Sequence, residues 1–289
     1  MQLAALRTSR GETVAAVSAG GGWAVVDGAT DISSLVSRVN WRSDADAALA
    51  SGRRITGADA LFANPLPNPA KVICCGLNYA DHIAETGREV PEFPTLFAKF
   101  ADTLTGPDAD ITVTDSTAVD WEAELAVVIG SPLRHGDRAA AQAAILGYTI
   151  ANDISMRDWQ SRTLQWFQGK AFDATTPVGP VIVTADEFDP ADGAEITCHI
   201  GDELMQRSDT ARLVFDAPAL VSYSSGFTAL APGDLVLTGT PGGVGLGRKP
   251  RRYLADQEVV ITRIAGIGEL RNRIVLGDRI ITNEERHES

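Results

Sequence analysis

The chain has 289 residues, 44% of them hydrophobic, enough to bury a large core as one sizeable domain or as a domain with a small companion. Its formal net charge is -13 and its isoelectric point about 4.7, a balance that repels nucleic acid and anionic membranes and excludes both as partners. An anionic small molecule stays admissible only if a cation or a few converging Arg and Lys side chains reverse the sign locally.

The opening "MQLAALRTSRGETVAAVS" is interrupted by Arg7, Arg10 and Glu12 before a long apolar run forms, so it reads as neither a signal peptide nor a membrane span. Residues 1–30 read as short strands, "QLAALRT", "ETVAAVS" and "GWAVV", separated by turns. The polar, Ala-rich stretch 32–51 suggests one or two helices. Pro65, Pro67 and Pro69 then break any helix and mark a linker. A small β-containing N-terminal domain over residues 1–64 and a main domain over 65–289 are expected.

Beyond the linker, "KVICCGL" reads as a buried strand and "YADHIAET" as a short helical turn closed by Gly87. A strand over 122–129 follows, then a helix "DRAAAQAAIL" capped by Asp137, a strand "GYTIAND" and a helix through "ISMRDWQSRTLQ". "EITCHIGDELMQRS" is a hairpin turning at Gly201-Asp202, "PALVSYSSGFTAL" a helix, "PGDLVLTG" a turn and strand, and "EVVITRIAGIGELRNRIV" a last strand pair. Strands dominate and strand–helix alternation is poor, which points to a mixed, β-rich α/β fold rather than a doubly wound sheet. Cys74, Cys75 and Cys198 are odd in number and lack a CxxC spacing, which argues for a reducing compartment, here the cytoplasm, and against zinc.

Four stretches carry chemistry. In "VDWEAELAVVIG" (119–130), Asp120, Glu122 and Glu124 recur at every second position, opposite Trp121, Ala123 and Leu125. Residues i and i+2 of a strand share a face about 6.7 Å apart, a spacing from which carboxylates can converge on one hard cation. A solvent-facing edge strand is the plainer reading, but the apolar run that follows argues for burial. In "TIANDISMRDWQ" (149–160), Asp153 ends a strand, with Arg157 and Gln160 on one helical stripe beyond it. Asp153 is either a third ligand or a helix N-cap. Arg157 either grips a substrate carboxylate or pairs with Asp153 or Asp158.

In "GLNYADHIAETG" (76–87), His82 and Glu85 stand at i and i+3, a spacing at which the Glu fixes the His tautomer for general-base work. An ordinary polar His is the bland alternative. His135 and His287 read as surface residues, and His199 lies in a hairpin strand. "GTPGGVG" (239–245) is a glycine-rich turn after a strand, able to offer backbone N–H groups to an anion, with Thr240 adding a hydroxyl. It is not a phosphate loop, since GxxxxGK[ST] is missing.

"NYADHIAE", "DWEAELAVVIG", "NDISMRD", "QGKAFDATTPVGP" and "GTPGGVG", in that order, resemble the fumarylacetoacetate hydrolase family. The likeness spans about residues 65–280, and the first sixty or so residues look like the variable extension of its members. The resemblance implies a β-roll catalytic domain, a homodimer and one Mg²⁺ or Mn²⁺ per site. It implies Glu122, Glu124 and Asp153 as metal ligands and His82 with Glu85 as the catalytic dyad. Lys170 and Gln160 would contact the reacting oxygen. Arg157, Thr240 and the Gly239–Gly243 backbone would hold a carboxylate or shape the pocket, Lys99 would have a lesser role, and residues 85–94 would form a lid. "ICCG" lacks the additional Asp that fumarylacetoacetate hydrolase itself carries upstream of its His. That favours hydrolysis of an acylpyruvate, a small anionic 2-oxo acid, through an enolate stabilised by the ion. Isomerisation or decarboxylation of related dienoates or oxaloacetate is the alternative within enzymes, and a catalytically dead, metal-stabilised binding protein the alternative outside them.

Overall fold

The computed structural model describes residues 1–80 and 90–277. In chain order its strands are β1 (Gln2–Arg7), β2 (Thr13–Ala19), β3 (Gly22–Val25), β4 (Arg54–Thr56), β5 (Leu61–Ala63), β6 (Val72–Gly76), β7 (Thr95–Lys99), β8 (Leu104–Thr105), β9 (Ile111–Val113) and β10 (Val119–Asp120). They continue with β11 (Ala123–Ile129), β12 (Ile145–Asn152), β13 (Ser155–Met156), β14 (Thr176–Thr184), β15 (Glu195–Ile200), β16 (Glu203–Asp209), β17 (Leu235–Leu237), β18 (Val259–Ile264) and β19 (Gly268–Leu276). The helices are short: α1 (Ile32–Val36), α2 (Trp41–Ser51), α3 (Arg138–Ala144), α4 (Arg157–Gln160), α5 (Phe167–Lys170) and α6 (Ala217–Phe227). The fold is β-rich and mixed, as expected.

Two sheets carry the core. The larger runs β4-β3-β2-β1-β14-β12-β11-β17-β6-β7, and the smaller runs β16-β15-β18-β19-β9. β11 explains why "AELAVVI" is so apolar: every one of its residues is buried, so both faces of the strand need hydrophobic cover. Leu125, Val127 and Ile129 join the cluster of Ile196, Cys198, Val260 and Leu270 from the smaller sheet. Ala126 and Val128, on the opposite face, join Leu35, Cys74 and Leu237. Each buried Val, Leu or Ile stabilises by about 1.5–3 kcal/mol, so this run anchors whatever side chains lie at its start.

The expected boundary at residues 64/65 falls between β5 and β6. β1 pairs with β14, however, so the N-terminal strands extend the same sheet as the rest of the chain. Asp137 caps α3 as expected, its carboxylate accepting from Ala140 N. The hairpin turns at Gly201, whose φ of 57° lies in the left-handed region. The helix expected through 154–165 is corrected. Ser155 and Met156 form β13, which pairs with Val119 and Asp120, and only Arg157–Gln160 is helical. Ladder bonds to β10 outcompete the helical spacing there.

Among the described residues, no helix is long and apolar enough to cross a membrane. Cys74, Cys75 and Cys198 are all free and buried. Burial drives the Cys75 thiol up to about 12 and raises Cys74 and Cys198 as well. All three are therefore expected to resist a thiol-reactive dye at pH 8 in the native protein and to react together in denaturant. Fast labelling of the native chain, read by mass spectrometry, would contradict this packing.

Candidate functional site

Strand register builds the site. β11 and β12 run antiparallel with Ala123 opposite Asn152 and Glu124 opposite Ala151, and the Asp153 N–H donates to the Glu122 carbonyl at 2.9 Å. Directly opposed residues share a face. Glu124 in β11 and Glu122 just before its first residue, two apart along the same extended run, therefore meet Asp153 on the same side. The three carboxylates each place an oxygen within 4.8 Å of the others, and all three side chains are buried. The same register continues past the site, with Asp120 opposite Ser155 and the Arg157 N–H on the Ala118 carbonyl at 2.9 Å.

Backbone and amide groups behind the triad hold the two glutamates. The Gly239 N–H donates to Glu124 Oε2 at 2.7 Å. Asn152 Oδ1 accepts from the Glu122 N–H at 2.9 Å, and Gln206 Oε1 from the Ala123 N–H at 3.0 Å, so the backbone around both glutamates is clamped by amides. Gln206 Nε2 also donates to Thr240 Oγ1 at 2.7 Å and to the Pro241 carbonyl at 2.8 Å. This ties the hairpin to the glycine-rich loop. At Gly239 the φ is 97° and a Cβ would lie 2.8 Å from the Cys75 carbonyl, so only glycine brings that N–H to Glu124.

Three cations face the acids. Lys170 Nζ donates to Glu122 Oε2 at 2.7 Å and to Asp153 Oδ2 at 2.9 Å. Lys99 Nζ donates to Asp153 Oδ1. Arg157 gives its Nε to Asp120 Oδ2 at 2.7 Å, one terminal nitrogen to Glu122 Oε1 at 2.7 Å and the other to Gln160 Oε1 at 2.8 Å. Lys170 reaches inward because Gly169 lets α5 press on α4: a Cβ there would lie 2.5 Å from both Gln160 Cβ and the Met156 carbonyl. Burial alone would lower the pKa of Lys170 and Arg157. Asp153 and Glu122 overcome it for the lysine, and Glu122 and Asp120 for the arginine, so both stay charged above their ordinary values. Glu124 goes the other way. Burial first, then Asp153 and Glu122, hold its carboxyl well above the usual range.

Such a triad fits a divalent cation. Its donors are hard oxygens, the buried thiols stay protonated, and a dication at this point would relieve the repulsion that raises Glu124. Four buried carboxylates, Asp120 included, face three buried cations, so the fully ionised cluster carries one net negative charge. A dication would turn it positive, the sign an anionic ligand needs.

The predicted residues meet with some corrections. Asp153 caps no helix, since α4 begins at Arg157 with Met156 at its cap. Arg157 pairs with Asp120 and Glu122, neither Asp153 nor Asp158. Gly239 and Thr240 are engaged with Glu124 and Gln206, so the loop shapes the acid cluster from within. Asp120, one of the three alternating carboxylates, turns into the protein instead of joining the triad. His82, Glu85 and residues 85–89 of the expected lid (85–94) lie outside the described residues. Asn152 carried no sequence signal beyond being polar at the end of an apolar strand, and Gln206, in the polar strand β16, carried none. A cleft of about 680 Å³ beside His199, Arg207 and Arg263 contains none of the predicted residues.

Residues 71–275 match the family model described as fumarylacetoacetate hydrolase, C-terminal. The mitochondrial oxaloacetate tautomerase Fahd2a of Rattus norvegicus is 43% identical over 216 residues, covering 74% of this chain and 69% of that protein. The crystal structure of 5-carboxymethyl-2-hydroxymuconate delta-isomerase from Mycobacterium smegmatis superposes with a TM-score of 0.78 at 33% identity, over 96% of this chain and 100% of that one. The fumarylacetoacetate hydrolase of Exiguobacterium antarcticum gives a TM-score of 0.83 at 31% identity, over 96% and 99%.

A raised carboxyl in the folded state means that the metal-free protein loses stability as pH rises above the ordinary Glu value of about 4.3. Glu124→Gln removes that charge and keeps an oxygen for the Gly239 N–H. Metal-free Glu124→Gln should therefore melt at a higher temperature than metal-free wild type at pH 7.5, the difference shrinking toward pH 5. A variant that melts lower at pH 7.5 would contradict the reading of Glu124 as a strained, ion-seeking ligand.

Proposed function

The chain belongs to the fumarylacetoacetate hydrolase family, and from that premise we propose that it is a divalent-cation-dependent enzyme of small 2-oxo acids, with keto–enol interconversion of an oxaloacetate-type dicarboxylate as its main reaction. The observation that carries this reading is the buried triad of Glu122, Glu124 and Asp153 under the charged Lys170. The choice of reaction leans on the 43% identity to a relative named as an oxaloacetate tautomerase.

Glu122, Glu124 and Asp153 would hold Mg²⁺ or Mn²⁺, which supplies Lewis acidity to the 2-oxo and carboxylate oxygens of a substrate. Lys170 keeps its proton at neutral pH, so it acts as a hydrogen-bond donor to the oxygen at C2 as that oxygen gains charge. It is no general base. Lys99 and Arg157 hold Asp153 and Glu122 in place and add positive field for a dianion. The buried position excludes water, which strengthens each of these interactions.

His82, oriented by Glu85, is the proposed base. In tautomerisation it carries a proton between C3 and the oxygen at C2, the C3–H bond breaking as the enol O–H forms. In hydrolysis it takes a proton from a water that adds to the distal carbonyl, the C–C bond to C3 then breaks, and C3 takes the proton back. Hydrolysis of an acylpyruvate is the second reading, favoured by the 31% identity to a fumarylacetoacetate hydrolase. The buried free thiols support a reducing compartment, with the cytoplasm as the expected one.

With Mg²⁺ or Mn²⁺, purified enzyme should speed decay of the oxaloacetate enol absorbance well above its rate of acetylpyruvate cleavage, and excess EDTA should abolish both. Acetylpyruvate cleavage that outpaces enol decay would move the assignment to hydrolysis, and EDTA-insensitive turnover would refute it. Lys170→Met should lower kcat by about 10²–10³ while bound Mn²⁺ stays near one per chain. Near-normal kcat would remove Lys170 from the chemistry.

A further inference from the structure

Asp120 is the carboxylate that the triad leaves over. It is fully buried and both its oxygens are engaged. Oδ1 accepts from the N–H groups of Trp121 at 2.8 Å and Gly245 at 2.7 Å, and Oδ2 from Leu246 N–H at 3.0 Å and Arg157 Nε at 2.7 Å. With four donors on two oxygens it has no lone pair to offer a cation, although its place two residues before Glu122 suggests a ligand. The loop is built to reach it: a Cβ on Gly245 would lie 2.8 Å from Asp120 Oδ1 and 1.8 Å from the Arg252 carbonyl.

Arg157 then has little freedom. Its guanidinium is planar, and with Nε fixed on Asp120 and one terminal nitrogen on Gln160, the other must point at Glu122 Oε1. Lys170 holds the second oxygen of the same carboxylate. Glu122 is thus oriented from both sides, and the positive charge of Arg157 is shared between two acids instead of falling on one.

We propose that Asp120 is a positioning residue for the metal centre: it aims and partly neutralises Arg157, so that Glu122 keeps the direction and the negative charge of a strong ligand. Replacing the Asp by Asn leaves the full charge of Arg157 on Glu122 and loosens the guanidinium. The proposal rests on the triad being a divalent-cation site, and it deepens that reading.

The test is Mn²⁺ affinity of the purified full-length chain, followed by the electron paramagnetic resonance signal of free Mn²⁺. Asp120→Asn should weaken binding about 10- to 100-fold, the usual consequence of losing a group that orients a ligand. In an Arg157→Gln background the same substitution should change affinity by less than about twofold, because Asp120 acts through the arginine. Arg157→Lys, which keeps the charge but loses the planar fork that spans Asp120, Gln160 and Glu122, should weaken binding as much as Asp120→Asn. Unchanged affinity in either single variant overturns the proposal, and so does a full additive loss in the double variant, which would assign Asp120 to anchoring the 245–246 loop alone. If Asp120→Asn fails to accumulate, Arg157→Lys decides by the same criterion. Wild-type protein that binds no Mn²⁺ overturns this proposal together with the triad reading, whereas tight wild-type binding with unaffected variants overturns this proposal alone.

Discussion

Carboxylates that converge within 4.8 Å inside a protein repel one another and lose their hydration, and this constraint organises much of the structure around them. Removing an ion from water costs several kcal/mol even after relaxation, so the cluster persists only where packing elsewhere is strong and each acid finds a partner. Both conditions hold. The apolar run of β11 is buried on its two faces, and Lys99, Lys170, Arg157 and the Gly239 N–H meet the acids directly. The residual negative charge at the centre of an already acidic protein is what a divalent ion would reverse. Only then would the centre suit the acidic substrate proposed for it.

The geometry follows from a register rather than from a loop. One ladder, with Ala123 opposite Asn152, sets Glu122, Glu124 and Asp153 on one side and runs on to bring Arg157 beside Asp120. A slip by one residue would send the acids of β11 to the opposite face. Placing ligands on strands holds them more rigidly than placing them on a mobile loop. The glycine-rich loop at 239–245 serves this rigid frame from the side, through backbone N–H groups and through Thr240.

Much of this was legible before folding. Alternating acids ahead of "LAVVIG" pointed to a buried strand with a polar face, and Asp153 at a strand end completed a hard-oxygen set. The turn at Gly201-Asp202 was legible for the same reason: local periodicity and turn chemistry act over a few residues. Long-range partners were not. Nothing in "DISMRD" reveals that Arg157 reaches back 37 positions to Asp120, or that Gln206 reaches 83 to the Ala123 N–H. The helix drawn through 154–165 failed because β10 lay waiting to pair with Ser155 and Met156. Likewise, the pairing of β1 with β14 depends on residues more than 170 positions apart, beyond any local pattern.

The most direct measurement is an anomalous difference map from crystals soaked in Mn²⁺. A single peak flanked by carboxylate oxygens of Glu122, Glu124 and Asp153, at the ~2.0–2.6 Å typical of hard divalent ions, is the predicted result. A map with no peak there, or with the only manganese bound to surface acids elsewhere, would contradict the account.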